Sequence, residues 1–507
     1  MTGWQPQAPT DIETVAPRQV GAGLDYIFHP RSVAVVGVSR PQPGSAGPNP
    51  DFVRALQRMG FPLIYPVNPK YRQYDGLKCY PSLLDIEGPV DHVICSVPVE
   101  IVPHLVEDCI AKGVKTIHFF TAGFSETGEE ERTELEWQVV ARARAAGIRI
   151  LGPNCMGLYV PRSGLAFVPG FPGEPGPVAL ISQSGGNATD MVFNSAARGI
   201  RFSKVVSYVN AADIDESELL EYLAQDPETE IITAYIEGVK DGRRFLAAMR
   251  RAAAAKPVLV LKGGRTEAGA RAAFSHTASL ASSFQVFDVL CRQVGAVRAN
   301  SVEELADLTV AFRHLGLPAS AYGPPQGPRV AIVGVGGGSS VFAADEIDEA
   351  GLRCPLLPEH TQAHLREFVP VAGNSVRNPV DVTSISEPGR LEDALRIVGQ
   401  AENIDVVIYH INTGWGWSLS FRSSTRADPH QRSEMLVEQI VRAREAADKP
   451  LVVVTRQPLD VRGMKRTLIF HEKCWRAGLP VYLTIPRAAN AVAKLLAWQE
   501  TRKETAS

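Results

Sequence analysis

The residues best suited to chemistry in this 507-residue chain are a histidine, a glutamate and two glycine-rich turns. His276 follows a run of small residues in GGRTEAGARAAFSHTASLAS and precedes a helical stretch, with Ser275 and Thr277 beside it. Neutral imidazole is nucleophilic, and a carboxylate on its second nitrogen fixes it, so such a histidine suits phosphoryl acceptance; a Ser-His-Thr helix cap is the plainer reading. Glu237 ends the otherwise apolar run in Tyr235-Ile236-Glu237-Gly238, where a carboxylate is costly unless paired or at work. Ser182-Gln183-Ser184-Gly185-Gly186 offers an anion backbone amides, two hydroxyls and a helix dipole, and Gly334-Val335-Gly336-Gly337-Gly338-Ser339-Ser340 repeats the device. A histidine, an orienting glutamate and anion-binding helix starts are what a phosphohistidine site requires.

The elements that must position these groups follow from the apolar pattern. Short apolar runs (32–38, 62–67, 92–97, 116–121, 148–151) alternate with amphipathic stretches, which predicts a parallel sheet covered on both faces. Gly and Pro interrupt this rhythm at 152–177, and a second set follows at 177–182, 204–209, 231–238 and 257–264. A second linker at 316–329 precedes a third set at 329–335, 405–411, 450–456 and 480–483. The fold class is therefore α/β, in three domains over 23–155, 156–318 and 325–500 behind a loose lead-in at 1–22. The stretch 487–498 has helical periodicity and is expected to be core packing.

Composition limits the partners. A net charge of −3 gives no electrostatic reason to expect nucleic acid or an anionic membrane. No apolar run approaches the roughly 18 residues of a membrane span, and the N-terminus lacks the features of a signal peptide. The seven cysteines (79, 95, 109, 155, 291, 354 and 474) are scattered without CxxC spacing, which fits a reduced, cytoplasmic protein with no metal site.

The first domain has its own glycine turn, Gly37-Val38-Ser39-Arg40-Pro41-Gln42-Pro43-Gly44, which is not G-x-G-x-x-G. Its second strand ends Pro66-Val67-Asn68-Pro69-Lys70, with a lysine where an NAD site wants an acid. Lys70 and Arg40 suit a ribose bearing an extra phosphate, which admits NADP or CoA, although a surface lysine after a turn explains Lys70 equally well. The loops at Val97-Pro98-Val99-Glu100 and Thr121-Ala122-Gly123-Phe124-Ser125-Glu126 leave strand ends on the same side and face the same crevice. No hydride-transfer constellation accompanies them.

The blocks SVAVVGVSR, IYPVNPK, GLKCYPSL, PVDHVICSVP, GVKTIHFFTAGFSETG and GIRILGPNCMG resemble, in order, the CoA-binding domain of NDP-forming acyl-CoA synthetases and succinyl-CoA synthetase alpha subunits. SHTASLAS is similar to the family's phosphohistidine segment, YIEG to that of its partner glutamate, and ISQSGG and VGVGGGSSVFAAD with NPVDVTS to its two phosphate-binding helix starts. The resemblance covers nearly the whole chain and matches the alpha-subunit layout of ADP-forming acetyl-CoA synthetases. It implies a Rossmann-like CoA-binding domain followed by two flavodoxin-like, succinyl-CoA-synthetase-type domains, the first carrying His276 and Glu237 as catalytic residues. CoA is then held by Gly37, Ser39, Arg40, Lys70, Val97, Pro98 and Thr121, Ala122, Gly123, Phe124. Phosphate is held by Ser182, Gln183, Ser184, Gly185, Gly186 and by Gly336, Gly337, Gly338, Ser339. A carboxylic acid or acyl-CoA and phosphate are the implied small-molecule partners. ATP or ADP and Mg enter only through a separate ATP-grasp beta subunit, in a hetero-oligomer.

The chain departs from the family pattern at Ala278, Ser282, Val209-Asn210 and Gly334-Val335, where the family has glycine or Thr-Asn. An extra side chain on the histidine loop, at Ala278 and Ser282, is expected to hinder its swing where the backbone needs angles that only glycine takes easily. A ligase is thus set against a CoA or acyl-CoA sensor or scaffold with a degenerate relay. Trp415 and Trp417, two apart on a glycine-rich loop, suit an acyl pocket, a partner contact or a domain edge.

Overall fold

The computed structural model describes residues 23–40, 51–271, 283–315, 328–334, 336–383, 389–413, 428–456, 458 and 460–506. His276, Ala278, Ser282, Val335, Gly44, Trp415 and Trp417 lie outside them.

Three sheets succeed one another along the chain. The first contains β1 (Val33–Val36), β2 (Ile64–Val67), β5 (His92–Cys95), β6 (Thr116–Phe119) and β7 (Arg149–Leu151). All are parallel, in the order β2-β1-β5-β6-β7, and a short hairpin, β3 (Gln73–Tyr74) with β4 (Leu77–Lys78), lies beside them. The strands are short, apolar and buried on both faces because Val102–Lys112 and Glu130–Ala145 cover one face and Phe52–Arg58 packs on the other. β1 lies between β2 and β5, so the chain changes direction across the sheet there and opens a crevice at the carboxyl ends of β1 and β5.

The middle sheet holds β8 (Gly157–Tyr159), β9 (Val178–Ser182), β10 (Phe202–Ser207), β11 (Ile231–Ile236), β12 (Val258–Lys262) and β13 (Val297–Ala299), in the order β13-β12-β11-β9-β10-β8. Only β8 is antiparallel. It lies within the Gly- and Pro-rich stretch that reads as a boundary in the sequence. The third sheet, β14 (Val330–Gly334), β15 (Val380–Asp381), β16 (Val406–Ile411), β17 (Leu451–Thr455) and β18 (Val481–Tyr482), is parallel in the order β15-β14-β16-β17-β18.

Two buried charge clusters join the domains. Between the first and second sheets, Asp213 accepts from Arg149 Nε (2.9 Å), Arg144 Nε (2.6 Å) and the Ile150 amide (2.7 Å), while Arg149 forks onto Glu218. Between the second and third, Asp307 takes Arg198 Nη1 at 2.8 Å and Arg487 Nε and Nη2 at 2.6 and 2.9 Å. The last helix, Ile485–Ala506, buries Ala488, Val492 and Leu495. Its Asn490 reaches Glu304 at 2.8 Å and its Trp498 meets Phe312 edge-on, so it packs on the middle domain's helix Val302–His314. Among the described residues no helix is long and apolar enough to cross a membrane.

Candidate active site

Every predicted loop of the first domain leaves the carboxyl end of a strand of the same sheet. Gly37 has φ +93°, and a Cβ there would lie 2.6 Å from the Ser96 carbonyl oxygen, so the turn closes only with glycine. Its neighbour loop is pinned by Asn68, whose side-chain amide donates to the Val38 carbonyl (2.7 Å) and whose Oδ1 accepts from the Lys70 amide (2.8 Å). Tyr74 OH donates to the Ser39 carbonyl (3.1 Å), and the Arg40 guanidinium stands 5.3 Å from the Tyr71 ring centre. Lys70, Arg40 and Pro98 are exposed, leaving two cations at the rim. Thr121 donates its hydroxyl to the Val97 carbonyl at 2.7 Å, tying the third and fourth loops together. Phe124 differs from its expected role at a ligand surface: its ring is 1% exposed and packs on Phe119. The side chains of Thr121 and Phe124 are thus turned into the domain, whereas Ser39, Arg40, Lys70, Pro98 and Ala122 stay exposed at the loops.

In the middle domain, Ser184 caps the helix Gly185–Ala196, accepting from the Asn187 amide at 3.3 Å. The Ser182 hydroxyl, expected to face an anion, instead donates to the Ser184 carbonyl (2.7 Å) and accepts from the Ser184 amide (3.1 Å). Gln183, also expected to touch phosphate, is buried; its Oε1 accepts from the Glu237 and Gly238 amides (2.5 and 3.0 Å) and its Nε2 donates to the Gly238 carbonyl (2.9 Å). These side chains are consumed in holding the turn against the Glu237 strand end. Among the described residues the N–H groups of Gly185 and Gly186, at the start of the helix, carry no hydrogen bond. They are the donors left for an anion.

Glu237 is 7% exposed, and Tyr235 OH donates to its Oε1 at 3.0 Å. Burial and the neighbouring Glu237 charge push the Tyr235 hydroxyl well above its ordinary range. Lys262, passed over in the sequence although it too ends an apolar strand, is 1% exposed and donates to the carbonyls of Glu237 (2.6 Å) and Gly263 (2.5 Å). Burial pulls its ammonium below the usual lysine value, and Glu237 opposes that shift. The turn at 183–186, the Glu237 strand end and the root of the segment carrying His276 are therefore one hydrogen-bonded unit. Asp381, from NPVDVTS, was likewise not singled out. It is buried, accepts from Thr383 N and Oγ1 (2.9 and 2.5 Å), and lies where a Cβ on Gly336 would sit 1.4 Å from its Oδ2. The helix Gly338–Glu349 starts from Gly337 at φ +65° without a side-chain cap; the Ser340 amide donates to the Gly337 carbonyl at 3.0 Å, and among the described residues the Gly338 and Ser339 amides carry no hydrogen bond, which leaves them for an anion.

The substituted glycine position Val209 has φ +24° and is 4% exposed, and Ala211 has φ +48°. A β-branched residue in the left-handed region is strained, as the sequence comparison anticipates for a glycine position.

Comparison with known proteins agrees with this layout. A CoA binding domain matches residues 31–161, a succinyl-CoA ligase like flavodoxin domain 175–312 and a ligase-CoA domain 330–472. The alpha subunit of acetate–CoA ligase [ADP-forming] II from Pyrococcus furiosus is 39% identical over 385 residues, 76% of this chain and 81% of that one. The alpha subunit of its isoenzyme I is 34% identical over 484 residues, 94% and 98% of the two chains. The solved acetyl-coenzyme A synthetase 1 of Ca. Korarchaeum cryptofilum, in complex with phosphate and ADP, superposes with a TM-score of 0.75 at 30% identity over 95% of this chain and 97% of that one. The chain therefore belongs to the NDP-forming acyl-CoA synthetase family.

Proposed function

We propose that this chain is the alpha-type subunit of an ADP-forming acyl-CoA synthetase, an acid–thiol ligase that interconverts acyl-CoA, ADP and phosphate with a carboxylic acid, CoA and ATP. The observation that carries the reading is the single unit formed by the 183–186 turn, Glu237 and the root of the His276 segment. The crevice of the first domain fits CoA: it opens at the carboxyl ends of β1 and β5, and Arg40 and Lys70 supply exposed cations at its rim. CoA brings the thiol; Gly37, Ser39, Arg40, Lys70, Val97, Pro98 and 121–124 would hold it.

In the direction of ATP synthesis, the amides of Gly185 and Gly186 hold phosphate while one of its oxygens attacks the acyl carbon. The carbon–sulfur bond breaks and yields acyl phosphate and CoA. The imidazole of His276 then attacks phosphorus; the bond to the acyl oxygen breaks, freeing the carboxylate. Glu237 steadies the developing imidazolium, and the helix-start amides offset the charge in transit. The Gly336–Ser339 turn serves as the second phosphate site. A separate ATP-grasp subunit, with ADP and Mg, receives the phosphoryl group in a hetero-oligomer, in the reducing cytoplasm that seven free cysteines suit.

The test is labelling of the reconstituted complex with γ-labelled ATP. Acid-labile label should appear on His276 and vanish in His276→Ala together with ligase turnover. Full turnover in His276→Ala refutes the reading, and tight NADPH binding would point to an oxidoreductase instead.

A further inference from the structure

At the seam between the first and middle sheets, the loop after β10 carries a residue that the reaction outlined above does not use. Asn210 is 5% exposed, and its Nδ2 donates to two carboxyl groups from the first domain, Glu126 Oε2 at 2.6 Å and Glu136 Oε2 at 3.0 Å, with Ser125 Oγ at 3.4 Å. Glu126 passes this anchor on to the loop 121–124: its Oε1 accepts from the Gly123 and Phe124 amides at 2.5 and 3.2 Å. Glu136 does the same for the Ser125 amide and hydroxyl (3.3 and 2.7 Å). On the other side, Lys240, three residues after Glu237, donates to the carbonyls of Asn210 (2.8 Å) and Ala211 (3.1 Å). One side chain thus stands between the CoA-side loop and the Glu237 loop.

Three features mark Asn210 as more than packing. Its amide can face only one way, since turning it would aim Oδ1 at two acceptors. That orientation leaves Oδ1 buried with no hydrogen-bond partner among the described residues, a cost that structures rarely carry without reason. Its neighbours Val209 and Ala211 are both held at positive φ, so the backbone is bent into an unfavourable shape on each side to place it. We propose that Asn210 is a positioning residue that sets the 121–124 loop, and with it the thiol-bearing end of CoA, against the phosphate turn of the middle domain. This rests on the functional reading above.

The test uses the complex with its ATP-grasp subunit and compares wild type with Asn210→Ala and Glu126→Gln. The second variant keeps side-chain shape in case the first folds poorly. Labelling of His276 from ATP, which does not involve CoA, should stay within about two-fold of wild type. The KM for CoA should rise by roughly ten-fold in each variant, the scale of one lost charge-assisted hydrogen bond. The double variant should be little worse than either single one, because the two act through one contact. An unchanged KM for CoA in both variants overturns the proposal. Labelling that falls in step with acyl-CoA formation does so too, since it signals general loss of structure. If wild type itself takes no label, the ligase reading fails first and this inference with it.

Discussion

The Asp307 cluster allows a quantitative test of how the middle and third domains are held. Asp307 is 4% exposed, and the desolvation of its carboxyl outweighs Arg487 and Arg198, so its pKa sits above the ordinary aspartate value. Desolvation likewise lowers Arg198, with Arg487 adding a like-charge contribution. The triad is therefore a poor net stabiliser, yet breaking it leaves two guanidiniums facing each other across the seam. Removing one partner of such a buried group costs about 3–5 kcal/mol, whereas replacing all partners with apolar residues is neutral or favourable by about 1–4 kcal/mol. For a domain of this size that loss corresponds to a fall of roughly 6–20 °C in the midpoint of the affected transition. Asp307→Asn should show it in differential scanning calorimetry, and Arg198→Met with Asp307→Leu and Arg487→Met should recover most of it. A shift below about 1 °C in Asp307→Asn, or a triple variant worse than the single one, refutes the reasoning.

Two further outcomes follow from the geometry. Burial holds His92 down to about 3, with His118 adding to it, and holds His118 down to about 4. Both stay neutral in the folded chain while the unfolded chain protonates them below about 6.5, so their contribution is intact above neutrality and is lost as pH falls toward 3, roughly 2 kcal/mol each at pH 5. Burial holds Glu216 near about 7, which works in the opposite sense over that range, so the measurement is the difference between wild type and His92→Leu in thermal midpoint from pH 7 to pH 5; equal slopes would contradict it. At the third turn, Gly336→Ala forces a Cβ onto Asp381 and should abolish transfer to ADP while leaving CoA affinity unchanged, as isothermal titration with CoA can show.

Much of this was legible because burial writes a plain signal. Parallel strands closed on both faces read as continuous apolar runs, so thirteen predicted segments coincide with strands, whereas Gly157–Tyr159, Val297–Ala299 and Val380–Asp381 are too short to stand out. The charge argument that singled out Glu237 applies equally to Lys262 at the end of β12; it was missed because a terminal lysine also reads as surface. What a turn's polar side chains do could not be read at all. Ser182 and Gln183 carry the right groups for an anion, but their partners are a backbone carbonyl two residues on and amides 54 and 55 residues away. Composition gives a side chain's capacity, and only the fold tells where that capacity is spent.

The same distinction governs the substituted glycines. At Val209 the backbone is held at φ +24°, an angle that glycine takes more easily than valine. Such an angle requires contacts that over-determine the loop, and they are on hand: the Asn210 amide meets the Pro153 carbonyl at 3.4 Å, the Ala212 amide the Gly152 carbonyl at 3.0 Å, and Lys240 clamps two carbonyls between them. The strain at Val209 is thus carried by the same loop whose Asn210 and Lys240 contacts tie the first domain to the Glu237 strand end.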